Sequence, residues 1–149
     1  MTSVDSSASA LQLARHNWQA NNLHESRGTF LQADMFTYLR ETREIFDLIV
    51  LDPPPFIRRR QDLQAGMKGY KEINLQALRL LPPGGHLLSF SCSQHLSVAD
   101  FLLVVQYAAT DLGRSVQLLK HLGPGPDHPT SLAHAEGAYL KGIWLRVGD

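Results

Sequence analysis

The chain has 149 residues, 44% hydrophobic and 19% charged, with a formal net charge of zero; this suits one globular domain with a real core and gives no evidence of disorder. Zero net charge supplies no global basic field for nucleic acid, so any such contact must be local. The single cysteine excludes an internal disulfide and suits a reducing cytoplasm, while no signal peptide, membrane-length apolar run or repeat is visible, so no membrane partner is expected.

Taken in order, Thr2-Ser3-Val4 reads as a short strand ending at Asp5. Ser6-Ser7 followed by Ala10, Leu11, Ala14 and Trp18 predicts an amphipathic helix opened by a serine cap and closed near Asn21-Asn22. Thr29 to Ala33 predicts a second strand, ending at Asp34, and Met35 to Arg43 a short helix. The most informative stretch is Phe46 to Phe56, FDLIVLDPPPF. Its apolar run, halted by Asp52-Pro53-Pro54-Pro55, predicts a parallel strand buried on both faces, with Asp52 at its carboxyl end. The prolines lack N–H groups and fix φ, so the loop that follows is stiff and cannot extend a ladder.

Arg58 to Lys68 reads as a loop and Tyr70 to Leu81 as a helix, stopped by Pro82-Pro83-Gly84-Gly85. His86 to Ser93, HLLSFSCS, predicts the next strand. Ser97 and Asp100 form a capping box for a helix presenting Val98, Phe101, Leu102, Val105, Ala109 and Leu112, up to Gly113. Val116 to Leu119 and Tyr139 to Val147 predict the last two strands, around a Gly/Pro/His-rich loop from Gly123 to Glu136. Helices between parallel strands with a closing two-strand pairing define a doubly wound α/β sheet, expected as one domain over residues 1–149.

Open α/β sheets bind ligands at the carboxyl ends of their strands. Asp5, Asp34 and Asp52 all fall there, with Ser91-Cys92-Ser93 ending the fourth strand. A carboxylate can accept from two ribose hydroxyls or from an exocyclic amine, so together these acids favour a nucleoside cofactor. Singly, Asp5 reads equally as a helix cap and Asp34 as a solvated loop acid. Cys92 reads either as a small buried hydrophobe or as a nucleophile; neighbouring hydroxyls and a following helix start would favour its thiolate. Arg58-Arg59-Arg60 suits phosphate contact or a solvated loop. Seven histidines include no HxH, HExxH or Cys/His cluster, so no metal is expected.

Val4-Asp5-Ser6-Ser7, Ala33-Asp34, LDPPPF, GYKEINLQAL, GGHLLSFSCS, Asp127-His128-Pro129 and EGAYLKG occur in order along the chain. Together they resemble the catalytic domain of class I S-adenosylmethionine-dependent 23S ribosomal RNA cytosine-5 methyltransferases, from about Thr2 to Val147. The resemblance implies a Rossmann-like sheet, S-adenosylmethionine as cofactor, 23S ribosomal RNA as partner and a cytoplasmic location. It places Asp5 at the cofactor ribose, Ser6 among the cofactor-binding residues, Asp34 and Met35 at the adenine, and Asp52 and Pro53 facing methyl donor and target base. Cys92 matches the nucleophile, with Asp52 beside it in the catalytic set. Pro54, Phe56, Tyr70, Lys71 and His128 would meet the substrate, although helix packing for Tyr70 and a surface position for Lys71 are the plainer readings. Against that family's pattern the chain lacks the glycine-rich first strand, which in that sheet order belongs between the second and the central strands, and the amino-terminal RNA-binding domain. Weak or absent cofactor binding by this chain alone, an exposed apolar strand and self-association are therefore expected. The rival readings are an exocyclic-nitrogen methyltransferase, which would leave Cys92 idle, and a non-catalytic remnant or interaction module.

Overall fold

A computed structural model describes residues 1–131, 133, 137 and 139–148. The chain divides into two compact units, Met1–Thr42 and Arg43–Asp149.

In the first unit, β1 (Thr2–Asp5) and β2 (Thr29–Gln32) pair in parallel, with Thr2 opposite Thr29 and Asp5 opposite Gln32. The crossover helix α1 (Ala8–Ala20) begins where Ser7 Oγ accepts from the Ala10 N–H at 3.2 Å. It ends at Asn21-Asn22, the latter at φ 56°, as the asparagine pair predicts. Leu11 is its buried residue, and Trp18 meets Phe30 edge-on with centroids 6.1 Å apart. A short helix, α2 (Met35–Glu41), follows β2 and buries Leu39.

The second unit is built on a four-stranded sheet of order β3-β4-β6-β5. Strand β3 (Leu48–Leu51) runs parallel to β4 (His86–Ser91), while β6 (Lys141–Val147) lies antiparallel to both β4 and β5 (Val116–Leu122). Helices α3 (Leu63–Arg79) and α4 (Val98–Asp111) pack against each other, and α3 against β3 and β4. The core joins Tyr70, Ile73, Ala77 and Leu78 of α3 to Phe101, Val104 and Val105 of α4, over Leu87, Ile143 and Val147 of the sheet. Ser97 caps α4 as predicted: its Oγ accepts from the Asp100 N–H at 3.0 Å and donates to Asp100 Oδ2 at 2.6 Å. At the Pro-Pro-Gly-Gly stop, Gly84 takes φ +79° and donates to the Val147 carbonyl at 2.9 Å, tying this turn to β6. Among the described residues, no helix is long and apolar enough to cross a membrane.

The α/β element order is as the sequence predicts, with two corrections. Strand β3 is not buried on both faces: Leu51 is buried, but Leu48 and Val50 are 52% and 58% exposed. Among the described residues it pairs with β4 alone, and the helices cover one face, so alternate side chains point to opposite fates. Leu48 and Val50 thus form an exposed apolar strand face. Helix α3 starts at Leu63, after a 3-10 turn at Arg60–Asp62, rather than at Tyr70. Glycines at 66 and 69 lower helix propensity, but a Cβ on Gly66 would lie 2.2 Å from Ile57 Cγ1 and 2.9 Å from the Phe56 carbonyl. Close packing of the helix on the proline loop thus outweighs local preference.

Candidate active site

A cavity of about 590 Å³ opens at the carboxyl ends of β3 and β4, within the usual size range of a small-ligand site. Asp52, Pro53 and Pro54 line it from the loop after β3, Cys92 from the turn after β4, and His128 and Tyr139 from the segment between β5 and β6. The stiff loop presents alternating faces: Pro53 is buried, whereas Asp52 and Pro54 are exposed. Cys92 is half-buried, and its thiol donates to the Pro53 carbonyl over a long 3.9 Å.

Burial pushes the Cys92 thiol above an ordinary cysteine, and the Asp52 carboxylate pushes further in that direction. Its own backbone N–H and the Lys141 ammonium oppose the shift. The expectation that flanking hydroxyls hold a thiolate is therefore not met, because both serines are engaged elsewhere. Ser91 Oγ accepts from the Ser93 N–H at 3.3 Å. Ser93 Oγ accepts from the Ile57 N–H at 3.2 Å and shares a 2.9 Å bond with the Tyr70 hydroxyl. The Ser93 carbonyl accepts from Lys141 Nζ at 2.9 Å. One fully buried serine thereby joins the proline loop, α3, β4 and β6 beneath the cavity wall.

The structure places the other residues of this unit singled out from the sequence at several depths. Tyr70 is 0% exposed and sits between Phe56 and Phe101, with centroids at 4.7 and 5.7 Å; it supports the wall from behind and does not line the cavity. Phe56 is half-buried against it. Lys71 pairs with Asp111 of α4 at 2.6 Å, away from the cavity. His128 lies on the cavity wall with Nδ1 3.1 Å from Asp127. Arg58, Arg59 and Arg60 are exposed, and Arg59 pairs with Asp62 at 3.2 Å.

In the first unit, Asp5 and Asp34 both stand at the carboxyl edge of the β1–β2 ladder. Asp5 Oδ1 accepts from the Ser7 N–H at 2.7 Å, and the Ser6 carbonyl accepts from Gln32 Nε2 at 3.1 Å. Asp34 caps α2, accepting from the Thr37 N–H at 2.9 Å and the Thr37 hydroxyl at 3.0 Å. Those bonds, the backbone one foremost, hold its carboxyl below the usual carboxylate range. Met35, half-buried, is the first residue of that helix. Asp34 is thus more than a solvated acid, and its capping bonds leave less of it for a ligand than of Asp5.

Sequence reasoning set Ser93 beside the thiol rather than at a buried junction, and gave Tyr139 and Lys141 no part in the site. The signal was available for two of them: alternate serines at a buried strand end, and a lysine opening the mostly apolar final strand KGIWLRV. Among the described residues, no group of three or more His, Cys, Asp or Glu side chains could hold a metal.

The fold is Rossmann-like, that of solved methyltransferases. It matches a putative SAM-dependent methyltransferase from Streptococcus mutans with a TM-score of 0.81 at 21% identity, covering 98% of this chain and 38% of that one. It also matches SMU.776, a putative methyltransferase complexed with SAH, with a TM-score of 0.79 at 22% identity, covering 98% and 38%. More narrowly, the chain belongs to the Methyltransferase small domain family, whose profile matches residues 1–109. Ribosomal RNA large subunit methyltransferase I of Cronobacter sakazakii is 45% identical over 148 residues, which are 97% of this chain and 37% of that protein. The protein of that name from Shewanella amazonensis is 45% identical over 147 residues, again 97% and 37%. The chain therefore spans little more than a third of the length of the curated relatives it matches.

Proposed function

We propose that this chain is catalytic sequence of a cytoplasmic S-adenosylmethionine-dependent methyltransferase that forms 5-methylcytosine in 23S ribosomal RNA. The observation that carries the reading is Cys92 on the wall of the cavity, its thiol against the Pro53 carbonyl and Asp52 alongside. The names of relatives at 45% identity support the ribosomal RNA substrate.

The residues present fit a nucleoside cofactor by the chemistry of their acceptors. Asp5 is an exposed carboxylate at the end of a parallel strand, suited to paired ribose hydroxyls. Asp34 and Met35, two and three residues beyond the neighbouring strand, suit the adenine. The cofactor, when bound, supplies an electrophilic methyl group. Carbon 5 of cytosine is too poor a nucleophile to take it unaided, and this is the task of Cys92. Its thiolate adds to carbon 6 of an extruded cytosine, and the displaced electron pair makes carbon 5 nucleophilic. Once carbon 5 is methylated, a general base takes its proton, the electron pair restores the ring double bond, the carbon–sulfur bond breaks and the thiolate returns. Asp52 and Pro53 would face the methyl donor and the base, and His128 and Pro54 line the same cavity.

The test places this chain in the Cronobacter relative, in exchange for its matched 148 residues, and assays methyl transfer to undermethylated 23S ribosomal RNA. Formation of 5-methylcytosine that Cys92→Ala abolishes is the expected result. Methylation of an exocyclic nitrogen that survives Cys92→Ala would replace the mechanism, and a folded but inert chimera would favour the non-catalytic reading. For the 149-residue chain alone, titration with S-adenosylhomocysteine should give weak or undetectable binding.

A further inference from the structure

Lys141 is the one buried cation among the described residues, at 9% exposure. In the ladder it stands opposite Ser91, and its side chain reaches past Cys92 to the next carbonyl, Ser93 O, at 2.9 Å. A second bond from Nζ goes to the Tyr139 carbonyl at 2.6 Å. The ammonium thus spans the turn that carries Cys92 and joins it to Tyr139, from a different part of the same cavity wall. Burying a lysine carries a desolvation cost, which here lowers the tendency of Lys141 to hold its proton. Two carbonyl bonds could be made by other donors at lower cost. What those donors lack is a positive charge held beside a thiol.

We propose that Lys141 is a positioning residue for Cys92: its ammonium fixes the 91–93 turn against Tyr139 and stabilises the thiolate from the protein side. The charged groups facing Cys92 then act in opposition. Asp52, from the loop after β3, disfavours the thiolate; Lys141, from β6, favours it; His128, paired with Asp127, faces the same cavity. The lysine offsets part of the burial cost while remaining off the cavity lining, where substrate would compete for it. The use of this arrangement in catalysis rests on the reading of Cys92 as the nucleophile; its effect on the thiol does not.

Cys92 is the only cysteine in the chain, so alkylation by iodoacetamide reports on it alone. The experiment measures alkylation rate against pH for the 149-residue chain and for Lys141→Met and Lys141→Arg. An opposite charge within a few ångströms shifts a pKa by about one unit or more, less where solvent screens it, so Lys141→Met should slow alkylation at pH 8 by roughly three- to tenfold. Its midpoint should move to higher pH, whereas Lys141→Arg should stay within about twofold of the parent. An unchanged profile in folded Lys141→Met would overturn the proposal. So would faster alkylation, which is what mere loosening of the wall, with relief of burial, produces. Should Lys141→Met not fold, Cys92→Ser tests the reciprocal effect. Coupling is mutual, so the Lys141 ammonium, followed by NMR, should titrate at lower pH without the thiolate; an unmoved titration sinks the idea. An intact thiol–lysine coupling beside an inert chimera would refute the methyltransferase reading and leave this one standing.

Discussion

The Ser93 junction predicts a large effect from removing one oxygen. Ser93→Ala leaves the Ile57 N–H and the Tyr70 hydroxyl without the bonds they make at 3.2 and 2.9 Å, at sites 2% and 0% exposed. Each buried polar group left unsatisfied costs about 1–3 kcal/mol, so loss of both partners' bonds should destabilise the second unit by roughly 2–6 kcal/mol. Tyr70→Phe is the control. It deletes one partner while the bond between Ser93 Oγ and the Ile57 N–H persists, so its cost should be about 1 kcal/mol. Urea unfolding followed by Trp144 fluorescence, in a Trp18→Phe background so that one indole reports on one unit, measures both. If Ser93→Ala costs less than about 0.5 kcal/mol, or no more than Tyr70→Phe, the serine is not the junction that its distances describe.

Other perturbations test neighbouring parts of the argument. Asp52→Asn removes a negative charge that raises the Cys92 pKa, so alkylation at neutral pH should speed up, opposite in sign to Lys141→Met; equal or slower rates would refute that electrostatic account. Asp34 has a lowered folded-state pKa, so its stabilisation is present above the unfolded value and lost as pH falls through the folded one. Trp18 fluorescence in a Trp144→Phe background should show Asp34→Ala flattening the acid limb of the first unit's stability curve; an identical limb would contradict the capping bonds. Gly66→Ala sets a methyl 2.2 Å from Ile57 Cγ1 and against the fixed Phe56 carbonyl, and should cost about 1–3 kcal/mol in urea unfolding, where a gain in helix propensity alone would have stabilised. Replacing the exposed Leu48 and Val50 by Gln and Thr should reduce concentration-dependent association in sedimentation velocity; an unchanged profile would show that this strand face is not responsible.

Much of the fold was legible because its punctuation is local. Ser7, Ser97, Gly84 and Gly113 cap or stop elements by bonds to near neighbours or by positive φ, and such signals survive in sequence. The start of α3 was not, because Gly66 reads as a breaker until Ile57, nine residues earlier, is seen to occupy the space a side chain would need. The two-face burial predicted for β3 failed for a related reason: apolar content tells what a strand could bury, while exposure depends on whether another element arrives to cover it. At the site, Asp52, Pro53, Cys92 and His128 were recognisable and share one cavity. Tyr70 was recognisable as important but takes a supporting place. The partners of Ser93 lie 23 to 48 residues away, so its residue type could be read from the sequence but its junction could not.

Strand β6 pairs with both β4 and β5, and it is the last of the sheet's strands in chain order. Before it docks, β5 has no ladder partner and β4 has only β3. Lys141 is the first residue of β6, so the cation beside Cys92 arrives with the strand that completes the sheet. A partly assembled chain would carry the same cysteine as an ordinary, solvated thiol, without the burial that disfavours its thiolate or the lysine that opposes that burial. Both influences belong to the finished sheet, so the reactivity of this one side chain records whether the last strand is in place.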